Sequence, residues 1–181
     1  MRIVGGSHRS RQFNIPENLG IRPTTDFAKE ALFNILQNRI DFEGLNVLDL
    51  FGGSGSISYE FSSRGSANIT TIEKNVKACD FIKTTARNLK LENIRVIKTD
   101  VFTFLKSCAG TFDIIFADPP FKLENIARIP TLVFERKLLA DNGILIVEHP
   151  SDVTFNELLL QKETREYGTV NFSIFNQQQP A

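Results

Sequence analysis

Residues 46–55 read Asn-Val-Leu-Asp-Leu-Phe-Gly-Gly-Ser-Gly, a short apolar run that carries one acid and closes in glycines. An apolar run of this length, bounded by glycine, reads as a buried strand. Residues 54–63 then read as a helix. The same order repeats along the chain. Residues 68–73, rich in β-branched side chains, form a second strand, and 76–91 have a helical pattern. Residues 94–99 are a third strand and 101–107 a short helix. Residues 112–117 are a fourth strand, 123–139 are mostly helical with Pro130 as a break, and 143–148 are a fifth strand. Strands alternating with helices predict an α/β fold with a parallel, doubly wound sheet covered on both faces. The tail departs from this order. Residues 161–167 and 169–175 read as two strands joined by a tight turn at Gly168, with Val170, Phe172 and Ile174 alternating as in a half-buried strand. That hairpin adds an antiparallel strand.

Upstream, residues 2–15 read as two small strands or an irregular arm around Gly5 and Gly6. Thr25 is an N-cap candidate, with Asp26 and Glu30 in the first turns of the helix that follows. Phe27, Ala31 and Ile35, with Ala28, Leu32 and Leu36, form its expected apolar stripe.

The chain has 181 residues, which suits one ordinary domain. With 41% hydrophobic and 23% charged residues it has a globular composition rather than a disordered one. The expected organisation is a basic N-terminal extension over 1–23 and a catalytic core over 24–181. No apolar run approaches the roughly 20 residues that span a bilayer. The start lacks an apolar signal region. Two cysteines, Cys79 and Cys108, make neither a disulfide framework nor a metal cluster and are read as packing residues. A cytoplasmic protein is expected. The net charge is zero, which excludes holding nucleic acid by bulk charge alone. Residues 1–23, however, carry four arginines against Glu17, a local +3. This points to the N-terminus as the seat of an anionic partner.

Open parallel sheets bind ligands at the carboxyl ends of their strands. Three acids fall there: Asp49, Glu73 and Asp100. The loop with Gly53 and Gly55 has Ser58 where a dinucleotide fingerprint needs its third glycine. S-adenosylmethionine fits the pattern better: Asp49 faces its ammonium, Glu73 accepts from the ribose hydroxyls, Asp100 reaches the adenine amine, and the glycines let the ligand pack close. The structural alternative is that such acids are turn formers or helix caps.

Asp118, Pro119, Pro120 and Phe121 follow the fourth strand. The prolines stiffen the loop; a rigid turn alone accounts for neither the acid nor the aromatic. An exocyclic amine on a nucleobase is a poor nucleophile. In the functional reading, Asp118 and the Pro119 carbonyl accept its two hydrogens and Phe121 stacks on the base. In a sheet of order 3-2-1-4-5, strands one and four are neighbours, so Gly53 and Asp118 flank one cleft.

Together these residues resemble class I S-adenosylmethionine-dependent methyltransferases: the glycine segment resembles their first motif, and Asp-Pro-Pro-Phe resembles the [DN]-P-P-[FY] motif of amino-group enzymes. Residues 2–6 (RIVGG), Arg9, Arg11, residues 22–26 (RPTTD) and 30–34 (EALFN) narrow this to the RsmD family. The resemblance implies N2 methylation of one guanine in bacterial 16S ribosomal RNA, within the small subunit or an assembly intermediate, by a Rossmann-like seven-stranded sheet with its last strand antiparallel. It implies Asp118, Pro119, Pro120 and Phe121 as the catalytic loop, and Asp49, Phe51, Gly53, Gly55, Glu73 and Asp100 as cofactor positions. Arg9, Arg11 and Arg22 would meet RNA. No metal is implied, and a monomer is expected. Two departures stand out: Gly52 where many relatives have Ala, Cys or Ser, and Ser10 where a glycine usually separates two arginines.

Other readings stay open at this point: an amine methyltransferase for DNA or a protein glutamine, a dinucleotide oxidoreductase, and a non-catalytic RNA-binding assembly factor. His149 is read as a loop residue before Pro150, and His8 as RNA-facing.

Overall fold

The computed structural model describes residues 1–21, 24–155, 162–167 and 170–176. Seven strands, β1 (Asn46–Asp49), β2 (Asn68–Glu73), β3 (Ile94–Lys98), β4 (Phe112–Ala117), β5 (Leu139–His149), β6 (Lys162–Tyr167) and β7 (Val170–Asn176), form one sheet of order β3-β2-β1-β4-β5-β7-β6. β1 to β5 pair in parallel, whereas β7 runs antiparallel to both β5 and β6. Six strands therefore point one way and β7 the other. The predicted tail hairpin is present as β6 and β7. Gln161, Gly168 and Thr169, which belong to that reading, lie outside the described residues.

Among the described residues five α-helices cover the sheet: α1 (Asp26–Gln37), α2 (Ser56–Ser63), α3 (Val76–Leu89), α4 (Val101–Ser107) and α5 (Arg128–Glu135). The strand period of two explains the two cores. Val47, Ile69, Ile114, Phe116, Ile146 and Phe172 point to one face, against Leu32, Phe33 and Leu36 of α1 and Phe61 of α2. Leu48, Leu50, Ile115, Leu145 and Phe175 point to the other, against Leu105 of α4 and Ile129 and Val133 of α5. Among the described residues, no helix is long and apolar enough to cross a membrane.

Several element bounds differ from the expectation, each for a local reason. α2 starts at Ser56 because Gly53 (φ +51°) and Gly55 (φ +78°) are left-handed and cannot belong to a helix. α5 is shorter than residues 123–139. Asn125 (φ +70°) holds the chain out of the helix before Arg128, and Lys137 (φ +52°) turns it away after Glu135. Pro130 does not break the helix. It sits in the first turn, where its missing N–H has no intrahelical partner to lose. β5 starts at Leu139, four residues early, through an irregular stretch where the β4–β5 register shifts between Phe112 and Ile114.

The α1 stripe needs the largest correction. Thr25 caps the helix as expected, accepting from the Ala28 N–H at 3.2 Å. The buried face, however, is Lys29, Ala31, Leu32, Phe33 and Leu36, and Phe27 is 68% exposed. A buried lysine is tolerable only when its charge is met. Lys29 Nζ donates to the Arg2 carbonyl and lies 3.3 Å from Asp26 Oδ1 and 3.5 Å from Glu60 Oε1. Glu60 is fully buried too, and burial raises its pKa from the usual value. It accepts from the Val4 N–H at 2.6 Å and the Gly5 N–H at 3.2 Å, with Arg64 Nε at 3.7 Å.

This network binds the N-terminal arm to α1 and α2. The arm is irregular rather than two-stranded: a single bridge joins Arg2 and Gln12 around a short 3-10 turn at Gly6–His8. Ile3 and Phe13 anchor it in a third cluster with Tyr59 of α2 and Ile82, Ala86 and Leu89 of α3.

Removing one partner of a buried ion pair leaves the other uncompensated. Lys29→Met is therefore expected to lower unfolding stability by about 3 kcal/mol, read as a fall in urea midpoint at unchanged slope. A loss below about 0.5 kcal/mol, the range of a neutral surface change, would show that the pair does not hold the arm.

Candidate active site

The pairing of β1 with β4 brings Asp49 into register with Phe116, so the loops after these two strands leave the same sheet edge. β2 lies on the other side of β1 and delivers Glu73 there.

Asp49 closes β1 and is 1% exposed. Ser58 donates to its Oδ2 at 2.6 Å, while its Oδ1 is buried with no hydrogen-bond partner at bonding geometry among the described residues. Burial pushes its pKa up to about 7, opposed by the Ser58 hydroxyl and the Phe51 backbone N–H and reinforced by the charges of Asp118 and Glu73. Asp49 thus feels two further carboxylates, from the ends of β2 and β4, and the place favours a cation.

The glycine loop shapes the space beside them. A Cβ on Gly55 would lie 2.5 Å from the Tyr59 ring, in a backbone conformation that already favours glycine. At Gly53 a Cβ would meet nothing nearer than Ile21 Cγ2, at 3.8 Å. The loop is therefore packed tightly against Tyr59 at Gly55 and leaves room at Gly53, with Ile21 beside it. Glu73 is fixed by two backbone donors: Gly53 N–H to Oε2 at 2.9 Å and Asn75 N–H to Oε1 at 2.7 Å. Each oxygen keeps a lone pair for a further donor. The residues present fit S-adenosylmethionine: an unpartnered buried carboxylate oxygen for a cation, a fixed carboxylate for hydroxyls, and an open glycine cradle.

Asp100 precedes α4, and its Oδ1 accepts from the Thr103 N–H at 3.0 Å. The helix-cap reading is thus satisfied, while the side chain stays exposed at the same sheet edge. Phe51 is half-buried and packs on the α4–α5 core. In the loop after β4, Asp118 is half-buried, Pro119 buried and Pro120 exposed, and Phe121 is 41% exposed with its ring open to solvent. Leu123 N–H donates to the Pro120 carbonyl at 2.7 Å and closes the turn. Arg9 and Arg11 are exposed on the arm, and Arg22 lies outside the described residues.

Ser58 and Ile21 are site residues that sequence reasoning missed. A signal for Ser58 existed: it stands where a dinucleotide fingerprint has the third glycine, close to the ligand loop. No signal marks Ile21, whose place depends on how α1 docks. His149 is not a loop residue. It ends β5, buried, with Nδ1 2.8 Å from the Pro150 carbonyl and Nε2 2.8 Å from Ser173 Oγ, and its ring stands edge-on to Phe155.

Residues 1–176 match the family described as "Conserved hypothetical protein 95". The chain belongs to this family, the RsmD family. A Haemophilus influenzae relative named Ribosomal RNA small subunit methyltransferase D is 32% identical over 97% of this chain and 93% of its own. The protein of the same name from Escherichia coli is 34% identical over 82% of this chain and 74% of its own. The solved structure of yhhF from Escherichia coli superposes with a TM-score of 0.86 at 30% identity, covering 98% of both chains. As a member of this family, the chain carries the class I methyltransferase fold.

Asp49 gives a test of the site without substrate. Its folded pKa, about 7, stands above the usual 3.8, so between these values the native state holds a proton that the unfolded chain has released. Stability is then expected to fall as pH rises across that window and to level above it. Asp49→Asn should flatten this slope and raise Tm at pH 8, measured by thermal unfolding. An unchanged pH slope in the variant would show that Asp49 ionises normally.

Proposed function

We propose that the protein transfers a methyl group from S-adenosylmethionine to the exocyclic N2 amine of a guanine in small-subunit ribosomal RNA. The observation that carries this reading is the convergence of the Asp-Pro-Pro-Phe loop and the Asp49–Glu73 glycine loop at one edge, across the β1–β4 pairing. The relatives' names support the RNA substrate.

The cofactor, when bound, supplies an electrophilic methyl on a sulfonium. Asp49 would hold its ammonium, and Glu73 and Asp100 would hold its ribose and adenine ends. The base must leave its helical stack to reach the loop. Phe121 then stacks on it, a contact worth about 1–3 kcal/mol. Asp118 and the Pro119 carbonyl accept the two N2 hydrogens. This orients the amine lone pair and stabilises positive charge as the nitrogen acquires the methyl. The low dielectric around half-buried Asp118 strengthens the effect. The surplus proton leaves the nitrogen for solvent. Arg9, Arg11 and Arg22 meet RNA phosphates. The domain acts as a monomer in the cytoplasm, with residues 1–23 as its RNA-facing extension.

The decisive experiment is transfer of labelled methyl to small subunits that lack their native methyl groups, with mass-spectrometric mapping of the product. A single N2-methylguanosine in 16S RNA is the expected result; no transfer would overturn the substrate. Asp118→Ala is expected to lower kcat by about 100-fold or more with cofactor affinity unchanged in calorimetry. Full turnover in that variant would remove Asp118 from the chemistry.

A further inference from the structure

Overall charge conceals a second basic region, larger than the N-terminal one. Residues 74–98 hold seven lysines and arginines against only Asp80 and Glu92, a local +5 in a chain of net charge zero. All seven are exposed. None takes part in an ion pair among the described residues. Other exposed cations are also outside any ion pair among the described residues, as Arg9, Arg11, Lys106 and Arg128 are, so what sets 74–98 apart is the density of its cations.

The fold gathers most of these charges on one side. Lys83, Arg87 and Lys90 follow a spacing of four and three residues, which places them along one exposed line of α3 and at its C-terminal cap. Lys98 stands on β3, the edge strand next to that helix, on the same face as Ile94 and Val96, which pack with α3, whereas Arg95 points with Ile97 to the opposite face. Lys98 is in register with Glu73, so the basic track begins beside the candidate active site and runs down the molecule from it. At the same end, the third apolar cluster packs the N-terminal arm onto α3 through Ile3, Phe13, Ile82 and Ala86. Two basic segments separated by more than fifty residues thereby share one end of the sheet.

Edge protection explains charges on β3, since charged side chains discourage strand addition. It does not explain three cations on the helix, where an ordinary solvated face mixes both signs. A run of unpaired cations beside a nucleic-acid-modifying site suits a polyanion.

We propose that α3 and edge strand β3, together with the arm, form the docking surface for the sugar–phosphate backbone of the RNA substrate, outside the cleft that takes the target base. This rests on RNA being the substrate. The surface supplies affinity and orientation; the Asp118 loop supplies the chemistry. Phosphate contacts fix register without reading sequence, so the surface acts before the base is selected.

The test is the triple variant Lys83→Gln, Arg87→Gln, Lys90→Gln, with Lys106→Gln on α4 as the control from the opposite face. Binding to small ribosomal subunits is measured across a salt series, with kcat and cofactor affinity alongside. Each lost phosphate contact removes nearly one unit from the slope of log affinity against log salt. The expected result is a slope shallower by about 2 and roughly tenfold weaker binding near 0.1 M salt. Cofactor affinity and kcat at saturating subunits stay unchanged, and the control behaves as wild type. Unchanged slope and affinity in a folded triple variant would overturn the proposal. So would triple-variant-sensitive binding that survives digestion of the ribosomal RNA, which would assign the surface to a protein partner. Wild-type protein that binds subunits through these residues yet transfers no methyl would overturn the methyltransferase reading and leave the surface standing.

Discussion

Everything at the candidate site depends on the parallel pairing of β1 with β4. Residues 49 and 118 are far apart in sequence, and only the insertion of β4 beside β1, rather than beside β3, brings their loops to one edge. That is the switch point of the sheet. The helices after β1 and β4 leave on opposite faces there, so a crevice opens between them. The pairing itself rests on apolar packing on both sides. Leu48 and Ile115 face one core, and Val47, Ile114 and Phe116 the other. A site of carboxylates is thus carried by strands with no polar side chain at these positions, which keeps it rigid and poorly hydrated.

Two buried acids show how the molecule separates structure from function. Glu60 is met from every side: two backbone N–H groups, Lys29 and Arg64 surround it. Its charge is spent inside the fold, fastening the arm. Asp49 is equally buried but has one oxygen without a hydrogen-bond partner among the described residues, and nearby acids make its charge harder to hold. A group kept in that condition costs stability. The cost makes sense where a cationic ligand completes the site, because binding then relieves an existing strain. Ser58 belongs to this design, since its hydroxyl fixes the orientation of the other oxygen.

Much of the fold was legible in the residues. β2, α4 and β4 have the bounds that β-branched content and apolar spacing predict. They are short elements bounded by turn residues, and local propensity decides them. Errors gather where tertiary contact overrides local pattern. The α1 stripe was misplaced because Lys29 counts as polar in any periodicity argument, although its charge finds Glu60 in space. α5 was overextended because nothing in its composition announces left-handed backbone at Asn125 and Lys137. His149 looked like a loop residue because its partner Ser173 comes from a strand twenty-four residues later.

The sequence by itself determined the alternation of strands and helices, the glycine turn, the acids at strand ends and the resemblance to the RsmD family. These are properties of short windows, set by side-chain periodicity and backbone freedom. Tertiary structure alone decided that Asp49 stands buried near other carboxylates, that Ile21 lies beside the glycine loop, and that the basic arm packs on the apolar face of α3, the helix whose exposed side is basic. The reason is the same in each case. Burial, electrostatic coupling and surface charge density depend on distance in space. For residues more than twenty positions apart, that distance is set by strand order and helix packing rather than by anything local to the chain.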